Sequence, residues 1–270
     1  MTSRRQLLLA ALAPARTWPV GISLKGFPGW PLERSLALCA ELGYSGVELL
    51  AGSPPVRSFP VLSIMEDLRL TGPEEPERLE ASLRLAKAIS SRRPPVVETV
   101  VGGKPAEWPA IRPQFLERLK GWARLADRHR VPVAIKAHVG SALHRSADAV
   151  ALIREIGSPF LLLNYDYSHF QLQGEALADS LVAALPYTAM IHIKDSTGQA
   201  PNHRFVLPGE GTIDYAAYAA LLRRYQYRGP IVIEVSTHVL QAPGYDPARA
   251  ARECALRLFP HFPPSSSKNA

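Results

Sequence analysis

Short runs rich in Val, Ile and Leu recur along this chain, and between them the apolar residues repeat at helical spacing. The runs predict strands at 18–24, 46–50, 60–65, 96–101, 131–138, 160–166, 189–194 and 231–235. The stretches between them predict helices at 31–42, 74–89, 113–128, 146–156, 174–185, 214–225 and 247–258. Leu79, Leu83, Ala86 and Ile89 form one apolar stripe, and Phe115, Leu119, Trp122 and Leu125 another, as the buried face of an amphipathic helix requires. Ser146 and Asp214 stand where N-caps belong, because their side-chain oxygens can accept from the free N–H groups of a first helical turn. Gly43 closes the first helix.

The strands show almost no polar alternation. Near-continuous apolar runs belong to parallel sheets covered on both faces. Eight of them alternating with helices within 270 residues predict a single (β/α)8 TIM barrel. A doubly wound open sheet is the second choice, and no G-x-G-x-x-G follows the first strand to support it. We assign the barrel to 17–260, a loose tail rich in Pro, Ser and Lys to 261–270, and a separate segment to 1–16.

Composition changes this picture little. The chain is 47% apolar and 20% charged, enough for a full core, and no tract is long enough to span a membrane. The formal charge of +7 is scattered rather than gathered into a basic stripe with interleaved aromatics, so a nucleic-acid partner is not expected. Cys39 and Cys254 lie far apart in helical patterns and read as buried apolar side chains, with a disulfide between them left open. The first residues change the picture more. Ser3, Arg4 and Arg5, a short apolar run, and Ala13, Pro14 and Ala15 resemble a twin-arginine export signal with its cleavage site. If that signal is used, the protein is exported to the periplasm; the alternatives are an amphipathic or frayed tail and a cytoplasmic protein.

The candidate chemistry gathers in 190–236, where two strand ends carry His192 and Glu234. Reactive residues at carboxyl strand ends are what a parallel barrel presents at its active face. Five segments then occur in order: GYSGVELL at Gly43–Leu50, NYDYSH at Asn164–His169, IHIKD at Ile191–Asp195, GEGTIDY at Gly209–Tyr215 and IEVS at Ile233–Ser236. With these, the chain resembles the xylose isomerase-like TIM barrels, specifically the sugar-phosphate isomerase/epimerase group. The resemblance implies a divalent metal (Mn, Mg, Co or Zn) at the carboxyl end of the barrel, held by Glu, Asp, His and Glu from strands five to eight. Carried over to this sequence, the ligands are Asp166, His192 and Glu234. Strand five departs from the pattern. Where the family has Glu-x-His, this chain has Lys136, Ala137 and His138.

A lysine at that position changes the chemistry. Strand alternation puts Lys136 and His138 on one face, looking into the barrel mouth. Three arrangements follow. Lys136 replaces the metal and the site needs none; or a metal persists on Asp166, His192 and Glu234, with or without His138, while Lys136 bends away; or the site is silent. Loss of one of two flanking carboxylates argues against symmetric two-base epimerisation and favours a one-base isomerisation or β-elimination. A Schiff base through Lys136 is disfavoured, because nearby carboxylates keep its ammonium charged.

The expectation is a carbohydrate-directed isomerase or lyase. Glu234 removes a proton next to a carbonyl, Lys136 polarises the substrate oxygen, and His192 and Asp166 shape the site. His138, His169, Arg204 and Glu48 are expected to contact the sugar, a small-molecule partner. Glu98 is a candidate partner for Lys136, and Asp195 is expected to orient Lys194 or the following loop. The rival reading is a non-catalytic sugar- or partner-binding barrel descended from such an enzyme. A DNA-repair endonuclease of the same fold would need more His and acidic ligands than this chain supplies.

Overall fold

The computed structural model describes residues 17–70, 72 and 75–266. The segment read as an export signal, 1–16, lies outside the described residues. Eight parallel strands close into a barrel in the order β1 (Val20–Ser23), β10 (Ile231–Ile233), β7 (Thr188–Ile193), β6 (Leu161–Tyr165), β5 (Val133–Lys136), β4 (Val96–Val100), β3 (Val61–Glu66) and β2 (Gly46–Leu50). The open-sheet alternative is thereby excluded. Two further strands, β8 (Asp195–Gln199) and β9 (Asn202–Val206), form an antiparallel hairpin within the polar insert after β7.

Alternation along each strand divides the core in two. Outward residues meet the helices, as where Leu79, Leu83 and Ala86 of α1 (Glu75–Ile89) and Phe115, Leu119 and Trp122 of α2 (Trp108–His129) join the main cluster. Inward residues fill the barrel in layers. Leu62, Val96, Ala134, Met190 and Val232 pack together as an apolar floor. Two residues further along four of those strands stand Glu98, Lys136, His192 and Glu234. The floor is tight on the β1–β2 side. A Cβ on Gly21 would lie 2.8 Å from Leu62 Cδ1 and 2.8 Å from the Gly46 carbonyl oxygen, so only glycine leaves room there.

Several boundaries differ from the sequence reading, each for a local reason. The helix expected from 113 begins at Trp108, with Pro113 inside it near its start. Ser146 is the first helical residue rather than the cap; its hydroxyl donates instead to Glu175. Asp214 does cap its helix, accepting from Ala217 N at 2.9 Å. The tail is not loose as far as Ser265. Phe262 is fully buried, Trp18 N donates to Pro263 O at 3.0 Å, and Ser265 N donates to Trp18 O at 2.7 Å. Cys39 and Cys254 are both buried free thiols, pushed up to about 12 by burial. No helix of the described residues is long and apolar enough to cross a membrane.

Candidate active site

The carboxyl ends of β5, β6, β7 and β10 deliver one charged group each to the barrel mouth. Lys136 is the last residue of β5. Asp166 follows β6 and caps the short helix Tyr167–Gln171, with its Oδ1 accepting from Ser168 Oγ at 2.6 Å. Lys194 follows β7, two residues beyond His192, so both point inward. Glu234 follows β10 and stays in register through its N–H, which donates to Ile193 O at 3.0 Å.

Their side chains form one continuous network. Lys136 Nζ lies 2.9 Å from Glu234 Oε2 and 3.0 Å from His192 Nδ1. Lys194 Nζ donates to Glu234 Oε2 at 2.8 Å and also to Asp166 Oδ2. Lys25 reaches Glu234 Oε1 at 3.3 Å from the rim. Below, His192 Nε2 donates to Glu48 Oε2 at 2.9 Å, and Ser63 Oγ donates to the same oxygen at 2.7 Å. His169 sits 3.4 Å from Asp166 Oδ2, and its ring packs 4.1 Å from that of His138 and 4.9 Å from Phe205 of the hairpin.

Burial works against every charge here, and the partners decide each outcome. Burial pushes Glu234 up, but Lys136 and Lys194 more than offset it and hold the carboxyl well below the usual range. Asp166 is held low in the same way by Lys194 and His169. Burial pushes Lys136 down, and Glu234, Glu98 and Asp166 more than reverse that, so its ammonium is held more firmly than usual. A Schiff base there is disfavoured for this reason. Burial lowers His192 as well, yet Glu48 lifts it to about 9. His169 goes the other way, down to about 4, through burial and the Lys194 ammonium. Glu98 is the exception among the carboxyls, because burial raises it and Lys136 offsets that only in part.

Asp166, His192 and Glu234 each offer a ligand atom, all within 4.8 Å of one another, a spacing that would suit a divalent ion. Ammonium groups already engage the carboxylates of that set: Lys136 on Glu234, and Lys194 on Glu234 and Asp166. A divalent ion at about 4 Å from an ammonium is repelled by about 8 kcal/mol at an effective dielectric of roughly 20. Two ammonium groups supply the same +2 charge to the same basket. With Lys136 and Lys194 in place, Asp166, His192 and Glu234 do not fit a divalent metal.

The mouth opens into a cavity of ≈ 670 Å³ lined by Lys25, Glu66, Glu98, Lys136, His138 and Glu234, among others. Lys136 and Glu234 therefore face the cavity as expected. His138 does too, although β5 stops at Lys136 and His138 stands on the loop that follows. Glu48 and His169, also expected at the sugar, are fully buried behind this wall and do not line it. Arg204 is exposed and lines a different cavity with Val206, Leu207 and Glu210. The alternation that points His192 and Lys194 the same way was readable in IHIKD, yet Lys194 escaped the sequence reading as a site residue. Asp195 orients the loop. Its carboxylate accepts from Ser196 N at 2.9 Å, Gly209 N at 3.1 Å and Thr212 N at 3.1 Å, joining the IHIKD and GEGTIDY segments.

The xylose isomerase-like TIM barrel family matches this chain over residues 60–258. L-ribulose-5-phosphate 3-epimerase UlaE of Salmonella paratyphi C (strain RKS4594) is 23% identical over 223 residues, 82% of this chain and 76% of that protein. The IOLI protein, solved with a zinc atom, superposes with a TM-score of 0.75 at 15% identity over 90% of this chain and 98% of its own. The probable 3-DHS dehydratase AsbF of Bacillus anthracis does so with a TM-score of 0.73 at 16% identity, over 89% and 98%. At such identities the two structures speak for the fold alone. The family match spans most of the chain, and this protein belongs to the xylose isomerase-like TIM barrels.

Proposed function

We propose that this protein is a carbohydrate-directed isomerase or lyase that removes a proton next to a carbonyl at the barrel mouth, with the Lys136 and Lys194 ammonium groups standing where the family holds a metal. The observation that carries this reading is Glu234, a carboxylate on the cavity wall with one oxygen shared by both ammonium groups. A sugar carbonyl oxygen entering the cavity competes with Glu234 for Lys136. When Lys136 turns to the substrate, Glu234 loses a partner and becomes a stronger base as negative charge develops on the oxygen. The relatives support the substrate class, since the epimerase named above acts on a ketose phosphate. Export belongs to this reading only if residues 1–16 act as the twin-arginine signal.

A non-catalytic sugar-binding barrel is the second reading. It is favoured by the contacts of three lysines, Lys25, Lys136 and Lys194, with Glu234, which make it a weak base at rest.

Elemental mass spectrometry on purified protein, beside Lys136→Glu, separates the arrangements. We expect wild type to carry no stoichiometric Mn, Co or Zn, and its turnover of ketoses to survive a chelator. We expect Lys136→Glu to gain affinity for metal. Stoichiometric metal in wild type that is lost on Asp166→Ala overturns the ammonium reading. Ketose binding without turnover selects the second one.

A further inference from the structure

Taking a proton from one face of a carbon needs one base, and returning it to the other face needs a second group across the substrate. Strand five supplies a lysine where that second carboxylate is expected. Another carboxyl stands elsewhere on the wall. Glu98 is the inward residue of β4 above Val96, and β4 lies four places from β10 in either direction round the eight-stranded ring. Glu98 and Glu234 therefore come from opposite sides of the barrel, and both line the same cavity with Lys136.

The other carboxyls are less suitable. Asp166 and Glu48 do not line the cavity. Glu66 lines it, but its Oε1 is taken by Arg78 and by Asp67 N at 3.0 Å, and its Oε2 by Ser82 Oγ at 3.1 Å. Asp67 sits on the exposed rim, 3.7 Å from Arg69. Glu98 is held at Oε2 by Asn164 Nδ2 at 3.0 Å, and among the described residues no hydrogen bond reaches its Oε1.

We propose that Glu98 is the second proton-transfer residue of this site, acting against Glu234 across the cavity, so that the reaction inverts the carbon next to a ketose carbonyl. This rests on the function proposed above. Glu234 takes the proton from carbon, the C–H electron pair moves to form an enolate at the oxygen held by Lys136, and Glu98 gives its own proton to the opposite face as the carbonyl re-forms. Glu234 ends protonated and Glu98 ionised, and exchange with solvent resets both. Their surroundings agree with this division: burial favours the acid form of Glu98, while the ammonium groups keep Glu234 ionised.

The test uses L-ribulose and L-ribulose 5-phosphate in D2O, followed by NMR at C3. Wild type is expected to exchange the C3 hydrogen and to form the C3 epimer. Glu98→Gln keeps the size and an oxygen for Asn164. It should retain exchange within about threefold while epimer formation falls by roughly a hundredfold or more. Glu98→Asp, which keeps the acid on a shorter arm, should recover part of the epimer formation, and it decides the matter if the Gln variant does not fold. Epimer formation by Glu98→Gln near the wild-type rate overturns the proposal, and so does an equal loss of exchange and epimerisation. Exchange without epimer in wild type removes this inference and leaves the proposed function standing. Absence of exchange in wild type with either sugar removes both.

Discussion

The floor and the mouth of this barrel are built on the same strands, two residues apart. Val96, Ala134, Met190 and Val232 make the floor; Glu98, Lys136, His192 and Glu234 stand directly above them. A floor residue stabilises by leaving water, about 25 cal/mol per Å² of apolar surface, whatever its exact partner. A mouth residue does not. Removing an ion from water costs several kcal/mol, and that is repaid only while every partner is present. The floor should therefore tolerate change in proportion to volume lost, and the mouth should fail when a single member of the network is removed.

The sharpest way to break that contrast is Glu234→Ala. The change strands Lys136 and Lys194, both almost fully buried, and releases Lys25 at the rim. Removing one partner of a buried ion network costs about 3–5 kcal/mol. Urea denaturation should show a loss of this size together with loss of turnover. A loss below about 1 kcal/mol would mean the lysines escape to water, as surface ion pairs do, and the mouth would then be no more demanding than a surface.

Next in size is the response to pH, which the floor cannot have. His169 is lowered to about 4, so below its ordinary 6.5 the unfolded chain binds a proton that the folded one refuses. Stability from this group is lost as pH falls from 6.5 towards 4. His192 is raised to about 9. Its contribution is complete below 6.5 and is lost as pH rises through 9. Each limb is worth about 3 kcal/mol at most. Asp166 and Glu234, held low, add a further loss in acid below their ordinary range. Stability should therefore peak near pH 6.5. His192→Gln should flatten the alkaline limb and His169→Gln the acid limb. A flat profile from pH 5 to 9 in wild type would show that neither ring is buried among these charges.

The same contrast explains what was legible in the sequence. The floor, the helices and the barrel itself follow from periodicity, because apolar burial depends on residue type and spacing alone. Asp166, Lys136, His192 and Glu234 were legible as strand ends. Their partners were legible only in part. Glu98 read as a partner for Lys136, whose ammonium it helps to hold. Lys194 reaches Asp166 across from a neighbouring strand, and Phe205 packs on His169 from a hairpin that read only as a polar insert. Arg204 is exposed because a two-residue period in that hairpin sends Phe205 inward and its neighbour out. Pairings between distant segments are set by closure of the ring, and no local pattern records them.

The smallest expected effect tests the floor alone. Gly21 pairs with Gly46 across β1 and β2, beneath the polar layers. Alanine in a strand recovers about 0.5–1 kcal/mol of backbone entropy over glycine. Here its Cβ would stand 2.8 Å from Leu62 Cδ1 and 2.8 Å from the Gly46 carbonyl oxygen. Leu62 can turn away, but the carbonyl belongs to the sheet and cannot, so strain of about 1–3 kcal/mol should outweigh the entropy gained. Gly21→Ala should then lower stability by about 1 kcal/mol or slightly more, and Gly21→Ala with Leu62→Ala should not restore it. Because the shift is confined below the ion network, the pH of maximum stability should stay near 6.5. Movement of that maximum would mean that strain in the floor reaches His192 and Glu48, and that the two layers are one mechanical unit.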